Sequence, residues 1–295
     1  MADALSVAGL CKTFPGFALR EVSFSLPAGY IMGFVGRNGA GKTTTIKCVL
    51  DMLARDAGRI EVLGREVTRD DITIKQDVGV VFDQPFYPGN WTVAQVGRAI
   101  EPFYTGWDNG LFLRCANRFG LPPGKRVREL SHGMGLKLML AAALSHDAKL
   151  LILDEPTSGL DPVARDDILE VLAEYIADGS RSVLFSTHIT ADLERIADYV
   201  TLIDEGRIVY TGAKDDLVDA YRVIHGAPGH LTPETRQRAI GLRQTELGFS
   251  ALLRSADVAA LPPAVACEAA SIDEVLIHIA AQGDADDRAV ARHSA

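Results

Sequence analysis

Apolar and polar positions follow two different periods along the chain. Val22, Phe24 and Leu26 alternate with Ser23 and Ser25, the period of two expected of a half-buried antiparallel strand, and the short apolar run Leu5–Leu10 predicts a strand before it. Ile31–Val35 is instead continuously apolar, as are Val78–Phe82, Leu150–Leu153 and Val183–Phe185. Such runs suit parallel strands covered on both faces. Beyond a glycine-rich stretch that begins at Gly36, residues Ile46, Val49, Leu50 and Leu53 fall at i, i+3, i+4 and i+7 and predict a helix. A second helix has clear ends. Asp161 suits the N-cap, Pro162 the first helical position and Gly179 the stop, with Ile168, Leu169, Leu172 and Ile176 forming one stripe. Val200–Ile203 and Arg207–Tyr210 flank Asp204-Glu205-Gly206, a hairpin signal.

The segment of about residues 86–145 breaks the strand pattern and reads as mostly helical. After about residue 215 the chain reads as an appendage ending in a helix. Ser271 and Glu274 have the spacing of a capping box there, and Ile272, Val275, Leu276 and Ile279 share one face. The polar tail from Gly283 reads as frayed.

Length and composition narrow the class. A chain of 295 residues with 47% hydrophobic and 23% charged residues is globular, and suits one large domain or one domain plus an appendage. No apolar run approaches the ~18 residues of a membrane span, and the N-terminus lacks the basic and apolar regions of a signal peptide. Cys11, Cys48, Cys115 and Cys267 are scattered, which fits neither a disulfide framework nor a zinc site and suits a reducing cytosol. A net charge of −9 argues against nucleic acid as the main partner.

Two motifs carry chemistry. Gly36-Arg37-Asn38-Gly39-Ala40-Gly41-Lys42-Thr43 matches the P-loop pattern between a strand and a helix. Its glycines let backbone amides turn toward a phosphate, Lys42 would reach the β- and γ-phosphates, and Thr43 would offer a hydroxyl to Mg²⁺. Leu150-Leu151-Ile152-Leu153-Asp154-Glu155 delivers two carboxylates to a sheet edge. Asp154 would hold Mg²⁺ and Glu155 would polarise the attacking water; read alone, the pair could equally be a solvated strand end.

The continuation Asp154-Glu155-Pro156-Thr157-Ser158-Gly159-Leu160-Asp161-Pro162 resembles the Walker B and D-loop of the ATP-binding cassette (ABC) family. Further motifs of that family follow its order over roughly residues 3–212. Gln84 matches the Q-loop glutamine, Leu130-Ser131-His132-Gly133-Met134 the signature, His188 the switch histidine, and Phe14 the adenine-stacking aromatic, more often tyrosine. The resemblance implies an α/β P-loop NTPase (RecA-like) core with an antiparallel β edge, in a domain over 1–215 whose helical subdomain is 86–145, and an extension over 216–295. It implies nucleotide contacts at Phe14, Gly36, Arg37, Asn38, Gly39, Ala40, Gly41, Lys42, Thr43, Thr44, Gln84, Ser131, Gly133 and Asp161. Mg²⁺ contacts would be Thr43, Gln84 and Asp154, and the catalytic groups Glu155, His188 and Lys42.

The partners it implies are a separate transmembrane permease subunit and a second copy of the chain or a related cassette, placing the protein in the cytoplasm on the inner face of the cell membrane. The signature departs from the usual Leu-Ser-Gly-Gly-Gln at His132 and Met134. A Leu-Ser-x-Gly-Met form resembles a bacterial exporter-type subgroup, implying export of a peptide, drug or other small molecule. A cassette ATPase acting on ribosomes or DNA, and a non-hydrolysing regulatory cassette, stay open at this point.

Other features read as structural. His132 and His146 have no ligand-spaced partners and suit surface or packing roles, Cys48 suits packing, and the pairs Asp70-Asp71, Asp166-Asp167 and Asp215-Asp216 suit solvated faces. Phe82, Phe86, Tyr87, Trp91, Phe103, Tyr104 and Trp107 crowd a short stretch, which fits either a small aromatic core or anchors for the coupling helix of a membrane subunit.

Overall fold

The computed structural model describes residues 3–69, 71–279, 281 and 282. The tail from Gly283, and Asp70 of the first acidic pair, lie outside the described residues. The chain divides into two compact units, Met1–Thr211 and Gly212–Ala295.

The first unit opens with β1 (Asp3–Phe14) and β2 (Phe17–Pro27), then β3 (Ile31–Val35), α1 (Lys42–Val49), β4 (Ala57–Val62) and β5 (Arg65–Glu66). After β6 (Val78–Val81) come three helices, α2 (Val93–Ile100), α3 (Asn109–Arg118) and α4 (His132–Leu144). The unit continues with β7 (Leu150–Asp154), α5 (Pro162–Ile176), β8 (Ser182–Thr187), α6 (Thr190–Ile196) and β9 (Tyr199–Asp204), and its boundary falls within β10 (Arg207–Ala213).

Two sheets result. One is antiparallel, in the order β2-β1-β4-β5. The other runs β10-β9-β3-β8-β7-β6, with β9, β3, β8, β7 and β6 mutually parallel. Their inner faces share one core. Val7, Leu10 and Val22 of the antiparallel sheet meet Met32, Ile152 and Leu184 of the parallel sheet, with Ile46 and Val49 of α1 among them. The Phe24 and Phe34 rings stack with centroids 5.2 Å apart. Each such side chain taken out of water contributes about 1.5–3 kcal/mol.

Helix α1 is shorter than its apolar spacing predicts. Leu50 caps it, Asp51 turns left-handed at φ 53°, and Leu53 packs on the core from beyond the helix end. The bracketed helix follows its signals: Asp161 Oδ1 accepts from the amides of Val163 and Ala164, both at 3.0 Å, and Pro162 begins α5.

The second unit holds α7 (Lys214–Ala220), β11 (Tyr221–Gly226), α8 (Pro233–Arg238), β12 (Ile240–Gln244), β13 (Phe249–Arg254) and β14 (Ala266–Ala269). Its strands form an antiparallel sheet in the order β12-β13-β11-β14, an element the sequence reading did not foresee. Every residue of β14 is exposed, so it carries no apolar alternation to read. Residues 272–279 are helical, and the capping box forms: Ser271 N–H donates to Glu274 Oε2 at 2.9 Å, and Glu274 N–H to Ser271 Oγ at 3.2 Å.

Candidate active site

Parallel registration brings the chemistry to one edge. Val35 pairs with Thr187, Asp154 with Ser186 and Val81 with Leu153, so the loops after β3, β8, β7 and β6 leave the sheet together. The P-loop, His188, Glu155 and Gln84 begin those loops, where ligands bind in α/β folds.

The loop from Gly36 to Gly41 feeds the N-terminus of α1. Gly41 has φ 116°, a conformation closed to other residues at low cost, and a Cβ on Gly36 would lie 2.2 Å from the carbonyl oxygen of Ile203. Ala40 is pinned by accepting the Gly206 N–H at 2.9 Å. The first amides of α1, those of Lys42, Thr43 and Thr44, lack i−4 partners inside the helix and sit at its positive end, which suits an anion. Lys42 is buried, and its Nζ donates to Gly36 O at 2.7 Å and lies 3.1 Å from Glu155 Oε1. A cleft of about 410 Å³, lined by Phe17, Ala18, Arg37, Asn38, Gly39 and Glu205 among others, opens beside the loop.

Asp154 ends β7 and is buried, with Oδ1 accepting from Ser186 Oγ at 2.6 Å. Glu155 follows at φ 53°, a left-handed conformation unusual for a residue with a side chain. Its amide is held by Ser186 Oγ at 3.0 Å and Ser186 O at 3.2 Å. The turn aims its carboxylate between two bases: Oε1 faces Lys42, and Oε2 lies 2.7 Å from His188 Nδ1. A carboxylate only accepts, so Nδ1 of His188 carries the proton.

Lys42, Asp154, Glu155 and His188 are therefore gathered into one hydrogen-bonded cluster. Gln84 is exposed in the loop after β6. Phe14 is 37% exposed at the end of β1, with Lys12 Nζ 5.7 Å from its ring centre; it is a surface aromatic rather than a core one. Ser131 is exposed and caps α4 by accepting Met134 N–H at 3.3 Å, with Gly133 in the first turn. Asp161 caps α5, and these two hydrogen bonds hold its carboxyl below the usual carboxylate range.

Residues 19–158 match the ABC transporter family. The Nod factor export ATP-binding protein I of Rhizobium leguminosarum bv. viciae is 34% identical over 223 residues, covering 73% of this chain and 71% of that protein. This chain belongs to the ABC transporter ATP-binding family. The lantibiotic transport ATP-binding protein SrtF of Streptococcus pyogenes is 31% identical over 193 residues, covering 65% of this ABC ATPase and 82% of SrtF. A solved ATP-binding subunit of an ABC transporter superposes with a TM-score of 0.66 at 28% identity, over 72% of this chain and 91% of that one. The ABC ATPase binds ATP and belongs to a family that hydrolyses it in transport.

Several supporting residues of the ABC ATPase were not singled out from sequence. Ser186 bonds both carboxylate-bearing residues. Buried Asp192 accepts from Thr157 Oγ1 at 2.6 Å and pairs with Arg165, joining the loop after Glu155 to α5 and α6. Only the position of Ser186 in Ser186-Thr187-His188 offered a signal, since partners this distant in sequence carry no spacing. His132 is exposed, within the surface or packing role read for it, and its Nε2 lies 3.1 Å from Ser158 O. Asp166 and Asp167 are solvated, as their acidic pattern suggests, and each also makes an ion pair. Asp166 pairs with Arg195 of α6, and Asp167 Oδ2 lies 2.8 Å from Lys137 Nζ of α4, because α5 passes both helices.

The aromatic cluster is part buried and part exposed. Burial pushes the Tyr87 and Tyr104 phenols up, Tyr104 stacks on His146, and Trp107 packs on Phe112. Phe86 and Phe103 are instead 66% and 73% exposed, on the rim of an apolar groove of about 580 Å³ that also has Met52, Ile72 and Phe82 in its lining. The tryptophans are half-buried, so the exposed large aromatics of this stretch are phenylalanines.

Proposed function

We propose that this ABC ATPase hydrolyses ATP at the Lys42–Glu155–His188 cluster and drives a separate transmembrane subunit that exports a peptide, drug or other small molecule. The placement of Glu155 between Lys42 and His188 carries the reading. Lys42 and the amides at the start of α1 bind the β- and γ-phosphates, and Phe14 stacks on the adenine. Glu155 takes the proton of the attacking water. His188 holds the carboxylate through Nδ1 and turns toward the γ-phosphate. ATP competes with Glu155 for the Lys42 ammonium, so nucleotide binding frees the carboxylate for the water. Positioning and electrostatics dominate such a reaction.

Thr43, Gln84 and Asp154 are hard oxygen donors of the kind Mg²⁺ takes, and the Ser186 bond orients the Asp154 carboxylate. Mg²⁺ supplies neutralisation of the phosphate charge when bound. Ser131, Gly133 and Asp161 complete the site of a second cassette, so the working unit is a dimer on the inner face of the cell membrane. The groove with Phe86 and Phe103 on its rim receives the membrane subunit. Export draws support from relatives named for Nod factor export and lantibiotic transport. Among the described residues no helix is long and apolar enough to cross a membrane, which suits a substrate pathway in another chain.

The test is reconstitution with the membrane subunit in vesicles. ATP hydrolysis that requires Mg²⁺ and rises with the membrane subunit supports the reading. Hydrolysis that ignores the membrane subunit, or none with both present, refutes it.

A further inference from the structure

We propose that His132 is a positioning residue that ties the amino-terminal end of α4 to the Ser158–Leu160 loop of its own chain. The two segments that face a second cassette are then presented as one surface. The inference rests on the reading of Ser131, Gly133 and Asp161 as contacts to that second site.

His132 Nε2 lies 3.1 Å from the carbonyl oxygen of Ser158. A carbonyl only accepts, so Nε2 carries the proton and donates it. Ser158 in turn donates its own N–H to Glu155 O at 3.2 Å, and Leu160 N–H donates to Thr157 O at 3.3 Å. The imidazole therefore grips a tight turn whose first residue is Glu155. One residue further along α4, a Cβ on Gly133 would lie 3.0 Å from Leu160 Cδ2, so the helix end and the loop are already in close contact there. Ser131 on one side caps α4, and Asp161 on the other caps α5.

A second polar tie is of a different kind. Lys137 Nζ meets Asp167 Oδ2 at 2.8 Å and joins helix to helix, leaving the loop itself untouched. Among the described residues, the His132 bond is the directional contact between the start of α4 and this loop, beside the apolar approach of Leu160 to Gly133. Leu130-Ser131-His132-Gly133-Met134 carries the imidazole where the family's usual signature carries glycine, which has no side chain to make this bond.

The test compares His132→Phe, which keeps ring volume without an N–H, with His132→Gln, which offers an amide N–H at similar reach. In the full chain, His132→Phe should lower kcat about three- to tenfold, the worth of one net hydrogen bond, with ATP affinity unchanged. His132→Gln should restore most of the loss. Amide hydrogen exchange over residues 156–161 should quicken in His132→Phe and return toward the parent in His132→Gln. Parent-like exchange in His132→Phe, parent-like kcat, or no difference between the two variants overturns the proposal. So does an equal fall in ATP affinity and kcat. Ser131→Arg, run alongside, separates the two claims: full turnover there removes the second-site reading, while the exchange data still decide the His132 tie.

Discussion

Lys42 Nζ lies 3.1 Å from Glu155 Oε1, so the lysine proposed to bind phosphate, at the start of α1, and the proposed base, just beyond β7, share one ion pair. The other oxygen of the carboxylate is held by His188. Glu155→Gln removes the charge that competes for Lys42 and the group that takes the proton. ATP affinity should be kept or raised while hydrolysis falls at least ~10²-fold, the low end of a general base's worth. Parallel measurement of ATP binding and turnover checks this; near-normal turnover would remove Glu155 from the role.

Ser186 is buried and serves two residues at once, donating to Asp154 Oδ1 and accepting from the Glu155 amide. Ser186→Ala leaves a buried carboxylate short of a donor. Urea unfolding should show a loss of about 1–3 kcal/mol, and turnover should fall with it. An unchanged midpoint would mean that Asp154 does not depend on this hydroxyl.

His146 supplies a pH dependence. Burial lowers its pKa, against the opposing hydrogen bond to Gln76 O. The folded value therefore lies below the unfolded one near 6.5, and between the two the unfolded chain binds the extra proton. Stability is complete above about pH 6.5 and falls as pH drops through the window below it. His146→Phe, which can still stack on Tyr104, should flatten that part of a stability–pH curve. Equal slopes for parent and variant would count against it.

Phe86 and Phe103 should lose exposure when the membrane subunit binds. Hydroxyl-radical footprinting reads each ring separately, and both should be protected on assembly. Unchanged oxidation of both rings would remove this groove as the coupling surface. Tryptophan emission is a weaker reporter, since Trp91 and Trp107 are already half-buried.

Sites composed across a dimer predict rescue between two inactive chains. Lys42→Ala and Ser131→Arg each damage both sites of a homodimer. A mixed dimer has one site with both defects and one with neither, so mixing should restore part of the turnover. Proven mixed dimers without any recovery would oppose either the trans arrangement or the independence of the two sites.

Much of this chain is legible without coordinates where the physical cause is local. Glycines that a phosphate loop requires, the cap at Asp161 and the two-residue turn after Asp204 depend on neighbours a few positions away. The apolar run Leu150–Leu153 likewise announces a strand buried on both faces, ending at two carboxylates. The helix predicted to reach Leu53 stops at Val49 because Leu53 can reach the core from a turn, so apolar spacing alone did not set its end. Strand β14 escaped notice because an exposed edge strand is held by backbone hydrogen bonds to β11, which leave no trace in side-chain pattern.

The site divides along the same line. Sequence determined which chemical groups are present: a lysine after glycines, paired carboxylates at a strand end, a histidine after Ser186-Thr187. Tertiary structure decided how they meet. Parallel registration of β3, β8 and β7 brings Lys42, His188 and Glu155 to one edge, and the left-handed turn at Glu155 aims its carboxylate at both bases. Ser186 and His132 acquire partners only in this way, because a hydrogen bond between segments distant in sequence requires the fold to have closed the distance first.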